Sequence, residues 1–402
     1  MDTQEQHAQA ALHGLVVIDL SHVLAGPYCT MLLGDLGATV IKIERPEAGD
    51  DTRQFGPPFL AGESAYYLGF NRNKWSVALD FSTREGKQQA LDLLGQADIV
   101  VENFRPGSLE RKGLDYNSLK AVNPGLIYCS IRGYSQESAV AARPGYDLVA
   151  QAESGLMSIT GEPEGVPLPL GVPITDLATG MLACTAILAA LRVREQTGEG
   201  QQITISLLET AISLLSDVAS SYLATGQEPQ RYGNGHPMLV PYQEFDTRSR
   251  RIVICAGNDR LYTALCHALG LAELATDPRF CSNALRVQHR TELLPILQTA
   301  LLEREATVWL DQLHQCAVPC GLVRTVGEAF HDPDVRASGI IWECHHPTAG
   351  RLQLVGSPLH LSKTPPRLYK APPLLGEDTD LLLDICKCRE EHPPVAACSQ
   401  QS

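Results

Sequence analysis

LVVIDLSHVLAGPYCTMLLGDLGATVIKIE, residues Leu15 to Glu44, divides into three pieces of different period. LVVIDL (Leu15 to Leu20) is a short apolar run rich in β-branched residues and reads as a buried strand. Pro27 to Asp35 reads as a helix, and ATVIKIE (Ala38 to Glu44) as a second strand. Two strands joined through a helix run parallel, because the crossover returns the chain to the same end of the sheet. Outward from this unit the alternation continues with a helix over Arg84 to Gly95 and the strands DIVVEN (Asp98 to Asn103) and LIYCSI (Leu126 to Ile131). The expected fold class is α/β, a large Rossmann-like domain built on a doubly wound parallel sheet. The first strand-to-helix link, SHVLAGP, lacks the glycine fingerprint of dinucleotide-binding folds, which argues against a nicotinamide or flavin enzyme.

Composition shifts set the expected domains. Residues 1–225 form the large domain, and 226–241, GQEPQRYGNGHPMLVP, a linker and glycine loop. Residues 242–330 form a smaller α+β domain, with a hairpin from YQEFDT and RIVICAG and helices over Tyr262 to Leu269, Leu293 to Leu302 and Thr307 to Cys316. Residues 331–390, with the short strands GIIWEC and RLQLVG and a proline-rich stretch, return to the large domain, and 391–402 are a disordered tail.

The chain has 402 residues, 44% of them hydrophobic, enough for a large core. A net charge of -14 disfavours nucleic acid and anionic membrane surfaces as partners. The 12 cysteines sit in apolar segments such as LIYCSI and MLACTA, as packed thiols in a reducing compartment do. Cys386, Cys388, Cys398 and His392 fit no common zinc spacing, so no metal is expected. MDTQEQHAQAAL at the start carries neither an export nor an import signal, giving a cytoplasmic expectation, or the mitochondrial matrix if a transit segment has been removed.

In GVPITDLATGMLACTAILAALRVREQTGEGQQITISLLE (Gly171 to Glu209), Asp176 opens a run of 15 residues, Leu177 to Leu191, with no charge. The run reads as a buried helix too short to span a membrane. Asp176 at its start is expected to be ionised near neutral pH, either as a plain N-cap or as the reactive carboxylate. A second, amphipathic helix is expected over Ser206 to Leu223.

HVLAGP, GDLGATVIKIERP, NRNKWSVALD, VENFRPG, RPGYDLVAQAESGLM, the Asp176 block with TGEGQ, VPCGLV and PPLLGEDTD follow one another from Leu12 to Asp384. In this order they resemble the class III CoA-transferases (CaiB/BaiF type), a group that includes formyl-CoA transferase and the α-methylacyl-CoA racemases. GDDTRQFGPPF, ESAYYL, VPYQEF and LRVQHR look most like the glutarate and other dicarboxylate transferases that use succinyl-CoA. The resemblance implies interlocked homodimers of ring-like chains, a CoA thioester as substrate and no permanently bound cofactor. It further implies transfer of CoA from succinyl-CoA to a short dicarboxylic acid, glutarate, itaconate or similar, through an aspartyl-CoA thioester at Asp176.

Carried over by position, Arg45 and Arg111 meet the nucleotide phosphates, Leu79, Asn103 and Phe104 line the nucleotide and pantetheine path, and His22, Leu24 and Tyr146 lie towards the thioester. Gly233 and Gly235 stand where related transferases carry a glycine loop over the site. For the distal carboxylate of the acceptor the candidates are Arg132, Arg143, Arg231 and His236, since guanidinium suits carboxylate. Two alternatives stay open: a 2-methylacyl-CoA racemase, disfavoured because Tyr146 stands where the racemase branch has a histidine, and a non-catalytic CoA-binding protein.

Overall fold

The structure, a computed structural model, describes residues 10–384. The tail at 391–402 and the cysteines and histidine of 386–398 lie outside the described residues. The chain forms two compact units, one of residues up to Leu156, Leu170–Ser216 and from Ala337 onward, the other of Met157–Pro169 and Asp217–Arg336.

In the first unit β1 (Val16–Asp19), α1 (Ala25–Asp35), β2 (Thr39–Glu44), β3 (Lys74–Ala78), α2 (Arg84–Gly95), β4 (Ile99–Glu102) and β5 (Ile127–Arg132) follow in sequence. They are followed by α3 (Asp147–Glu153), α4 (Ile174–Thr197), β6 (Gln202–Ser206) and α5 (Leu207–Ser213). The six strands form one sheet in the order β3-β2-β1-β4-β5-β6, with every neighbouring pair parallel. Alternation along each strand feeds two cores. Val17, Val40, Val101, Ile127 and Cys129 face a cluster with α1 and α4, while Ile18, Ile41, Ile43, Val100 and Tyr128 face a cluster with α2. A sheet buried on both faces explains why its central strands read as unbroken apolar runs.

α4 lies against α1. A Cβ added to Gly180 would lie 2.6 Å from the Ala25 carbonyl oxygen, so glycine permits the close approach. The helix differs from expectation in two ways. It runs 24 residues and, by length and hydropathy, is long and apolar enough to cross a membrane. Ala183, Cys184, Ile187 and Ala190 are buried in the core, but Met181, Leu182, Leu188 and Val193 are exposed, so the helix is buried on one face only.

The edge strand β3 is covered by the C-terminal stretch. Asp378 Oδ2 accepts from Ser76 N at 2.9 Å, and Thr379 Oγ1 accepts from Ala78 N at 3.0 Å. The helix expected over Ser206 to Leu223 is two helices, α5 and α6 (Ser216–Thr225), separated where Ser216 adopts a φ of 53°.

The second unit holds the antiparallel strands β7 (Tyr242–Asp246) and β8 (Arg251–Cys255), the helices α7 (Asp259–Leu269), α8 (Arg290–Leu301) and α9 (Ala306–Gln315), and β9 (Cys320–Leu322). Their order is β9-β8-β7, packed around Phe245, Ile252, Tyr262, Leu297 and Trp309. Met157–Pro169 and Asp217–Thr225, which composition assigns to the large domain, belong to this unit. Arg231 explains part of that: its guanidinium donates to the carbonyls of Ser158, Glu162, Pro163 and Gly165 and pins the first of these segments. A final hairpin, β10 (Ile341–His346) with β11 (Gly350–Val355), falls in the first unit.

Candidate active site

In an open parallel sheet ligands settle beyond the carboxyl ends of the strands where the winding reverses. Here that point lies between β1 and β4. The two loops that leave these strands are tied reciprocally: Asn103 Oδ1 accepts from His22 N at 2.9 Å, and Asn103 Nδ2 donates to His22 O at 2.8 Å. One residue on, Val23 has a φ of 67°, a conformation that a β-branched side chain resists. Its N–H donates to Asp50 Oδ1 at 3.3 Å.

A buried ion network lies beneath this loop. Lys42 Nζ donates to Ser21 O at 2.8 Å and meets Asp50 at 2.9 Å, while Lys74 meets Asp19 at 3.1 Å. Burial works against ionisation of Asp19, but Lys42 and Lys74 outweigh it and hold the carboxyl well below its usual range. Burial also lowers Lys74, to about 8. These charges compensate one another, Lys42 and Asp50 at the wall of a cavity and Asp19 and Lys74 behind them.

Two cavities open at the switch point. The first, about 340 Å³, is lined by His22 to Ala25, Asn103 to Pro106, the end of β5, the Arg143–Tyr146 loop and Asp176. The second, about 600 Å³, is lined by Lys42 to Glu47, Leu79 to Ser82, Phe104 and Lys112, among others. His22, Asp51 and Phe104 line both. The His22 and Phe104 rings stand edge to face there, with centroids 4.7 Å apart.

Asp176 sits in the first turn of α4, half-buried. Burial, and after it the charge of Asp147, push its pKa up to about 7. The carboxyl therefore holds its proton more tightly than helix-terminus electrostatics alone predict, because loss of water outweighs the helix dipole. Asp147, in the GYD sequence, is the partner that sequence reasoning did not single out for this role. Its Oδ1 accepts from Thr175 N at 2.8 Å and Asp176 N at 3.2 Å. The loop before it packs backbone on backbone: a Cβ on Gly145 would lie 2.4 Å from the Gly133 Cα.

His22, Leu24, Asn103, Phe104, Arg132, Arg143, Tyr146 and Asp176 thus share the first cavity, and Arg45 and Leu79 line the second. Arg45 pairs with Asp51, both exposed. Arg111 lines neither cavity and is exposed, whereas the neighbouring Lys112 lines the second, its Nζ donating to Phe81 O at 3.2 Å. Arg105, at the arginine of VENFRPG, also lines the first cavity.

The carboxylate candidates separate. Arg132 is committed: Nη2 meets Glu102 Oε1 at 2.6 Å, and Nη1 donates to Glu102 Oε2 and to Phe104 O at 2.9 Å each. Arg231 spends its donors on backbone carbonyls in the second unit. His236 Nδ1 accepts from Met238 N in the same unit, where Gly233, with a φ of 61°, and Gly235 also lie. Arg143 remains, half-exposed, held to Glu153 at 2.9 Å and stacked 5.1 Å over the Tyr134 ring. Among the described residues no cluster of His, Cys, Asp or Glu has the make-up of a metal site.

A parallel sheet with two adjoining cavities at its switch point and a half-buried aspartate in one of them is the arrangement of an α/β enzyme. The sequence model of CoA-transferase family III matches residues 12–379. The chain is 43% identical to the Mus musculus succinyl-CoA:glutarate CoA-transferase, over 92% of this chain and 85% of that protein. It is 40% identical to the succinate–glutarate CoA-transferase of Agrobacterium fabrum, over 93% of this chain and 95% of that protein. A CaiB/BaiF family protein from Brucella suis superposes with a TM-score of 0.84 at 39% identity, covering 94% of this chain and all of that one. The chain belongs to CoA-transferase family III, an enzyme family whose substrates are CoA thioesters.

Proposed function

We propose that the protein moves CoA from succinyl-CoA to a short dicarboxylic acid, glutarate, itaconate or one of similar length, through a thioester on Asp176. The observation that carries this reading is Asp176 itself, half-buried at the cavity and with a pKa of about 7. A carboxylate of raised basicity is a better nucleophile than an ordinary one and still reaches its ionised form near neutrality. The names of the relatives supply the acids: glutarate for the mouse and Agrobacterium proteins, mesaconate for a Haloarcula hispanica relative 37% identical.

Asp176 Oδ attacks the thioester carbonyl and the C–S bond breaks, giving a succinyl-aspartyl anhydride and CoA thiolate. The thiolate attacks the Asp176 carbonyl, releasing succinate and leaving aspartyl-CoA. The acceptor carboxylate then attacks aspartyl-CoA, and the thiolate expelled takes the acceptor's acyl group and restores the Asp176 carboxylate. Every bond formed matches one broken, so the free energy is near balance and the enzyme's task is to hold the parts together. Such fixation is worth up to roughly 7 to 11 kcal/mol. The second cavity, with Arg45 and Lys112, suits the nucleotide, and the His22–Phe104 contact marks the passage for the pantetheine arm to Asp176. Arg143, whose pair with Glu153 is solvent-exposed and open to exchange for a substrate carboxylate, is the cation taken for the acceptor's distal carboxylate, with Arg105 beside it in the same wall.

The active form is a homodimer in this reading, supported by the apolar face of α4 (Met181, Leu182, Leu188 and Val193) left exposed in the single chain. The buried thiols of Cys29, Cys129 and Cys184 favour a reducing compartment, cytoplasm or mitochondrial matrix. The test is transfer itself: purified protein with succinyl-CoA and a panel of mono- and dicarboxylic acids. New CoA esters of dicarboxylates support the reading; hydrolysis alone, or exchange of the α-proton of a 2-methylacyl-CoA without an acceptor, overturns it.

A further inference from the structure

The long helix that carries Asp176 has no cap of its own. Its N-cap position is Pro173, which provides no side-chain acceptor. The first-turn amides of Thr175 and Asp176 instead donate to one oxygen of Asp147, 28 and 29 residues away in sequence. Thr175 Oγ1 also donates to the Asp147 carbonyl at 3.3 Å. The other oxygen, Asp147 Oδ2, accepts from Gln151 Nε2 at 2.6 Å, and Gln151 Oε1 accepts from Leu170 N at 3.0 Å. Asp147 thus stands between the loop of Arg143 to Tyr146, which lines the cavity, and the backbone of the nucleophile itself.

Resting on the reading of Asp176 as nucleophile, we propose that Asp147 is the positioning residue of the reaction: its carboxylate caps α4 from outside, fixes the Asp176 backbone against the cavity loop, and sets a second negative charge beside the nucleophile. The two effects come from different features of one group. The acceptor oxygen holds the amides, and the negative charge, next to a carboxyl already desolvated, disfavours a second charge. Other titratable and charged groups around Asp176 are His22, Asp51, Arg105, Arg132, Arg143 and Tyr146 in the cavity wall. Tyr66 senses both carboxylates. Of the cations, Arg132 is paired with Glu102 and Arg143 with Glu153, and neither they nor the exposed Arg105 contribute to the shift of Asp176. Asp147 is the charged neighbour whose influence on Asp176 survives.

Two substitutions separate the effects. Asp147→Asn keeps an acceptor for the amides and removes the charge, at the loss of the bond from Gln151; Asp147→Ala removes acceptor and charge together. Asp176 is read directly, without turnover, from the 13C carboxyl resonance of labelled aspartate, assigned by its loss in Asp176→Asn. For Asp147→Asn the expected result is a titration midpoint, and an acid limb of kcat/KM, lower by about one pH unit, with KM for succinyl-CoA within about twofold of wild type. For Asp147→Ala the midpoint falls likewise and kcat drops by about 100-fold, while the far-ultraviolet circular dichroism stays native. An unchanged midpoint in Asp147→Asn, or a kcat within threefold of wild type in Asp147→Ala, overturns the proposal. If the wild-type protein moves no CoA, the functional reading falls, and the titration still decides whether Asp147 acts on Asp176.

Discussion

Asp176→Asn should remove a penalty on stability that wild type carries only at higher pH. The carboxyl pKa rises from 3.8 to about 7 in the folded chain, from burial first and Asp147 second. A folded-state pKa above the unfolded value means that the fold binds the proton more tightly. The resulting stabilisation is complete below the unfolded pKa and is lost as pH rises through about 7. At about 1.4 kcal/mol for each tenfold change in proton affinity the limit is about 4 kcal/mol. Part of this limit is already lost between pH 3.8 and 5, which leaves about 2.6 kcal/mol for the range from pH 5 to 8; the side chain faces an open cavity, so about half of that, roughly 1.3 kcal/mol, is the expected loss. For a cooperative unit of a few hundred residues this corresponds to a Tm change of about 3 °C. The assay is thermal unfolding of both proteins at constant ionic strength from pH 5 to 8. The Tm of Asp176→Asn minus that of wild type should grow by about 3 °C across this range. A difference constant to within about 1 °C would refute the reasoning, because Asp176 would then titrate as an ordinary carboxylate.

Five further outcomes follow from named contacts. Arg132→Ala strands the buried Glu102 and should lower stability by about 3 to 5 kcal/mol in urea unfolding, whereas Arg143→Ala should raise KM for glutarate about tenfold and leave KM for succinyl-CoA unchanged. Asn103→Ala breaks both bonds to the His22 backbone; kcat/KM should fall more than tenfold, and Asn103→Asp, which keeps only the acceptor, should recover little of it. Gly145→Ala drives a methyl into the Gly133 backbone and should reduce kcat with little change in CoA affinity measured by calorimetry. In sedimentation, Leu188→Glu should shift a dimer to monomer if the exposed face of α4 is the contact between copies.

The parallel sheet is legible because burial on both faces leaves a plain apolar signature in β1, β2, β4 and β5. β6 is not, since QQITIS is an edge strand with polar residues on its open side. β3 escapes a local reading for another reason: Lys74 at its start is fully buried, and the Asp19 that neutralises it lies 55 residues earlier. The uncharged run of α4 marks a helix but not its surroundings. Apolar residues all round imply burial all round, while a face of this helix stays open in the single chain.

At the site, Asp176 is visible from sequence because it stands alone before an uncharged helix. Its ionisation is not, because desolvation and the Asp147 charge arise from tertiary placement. The same holds for the arginines. Nothing in the strings around Arg132 and Arg231 announces that one is spent on Glu102 and the other on four carbonyls. Lys112 and Arg111 differ only in which neighbour turns towards the cavity, a distinction that one residue of helical turn decides.

The central claim is a covalent bond between the Asp176 carbonyl carbon and the sulfur of CoA during turnover. Incubation with succinyl-CoA, reduction with borohydride and peptide mass spectrometry read it directly. The account predicts the Asp176 peptide carrying the reduced aspartyl side chain, absent when Asp176→Asn is treated in the same way. CoA transfer to glutarate at full rate with residue 176 unmodified, or with Asp176→Asn as active as wild type, would contradict it.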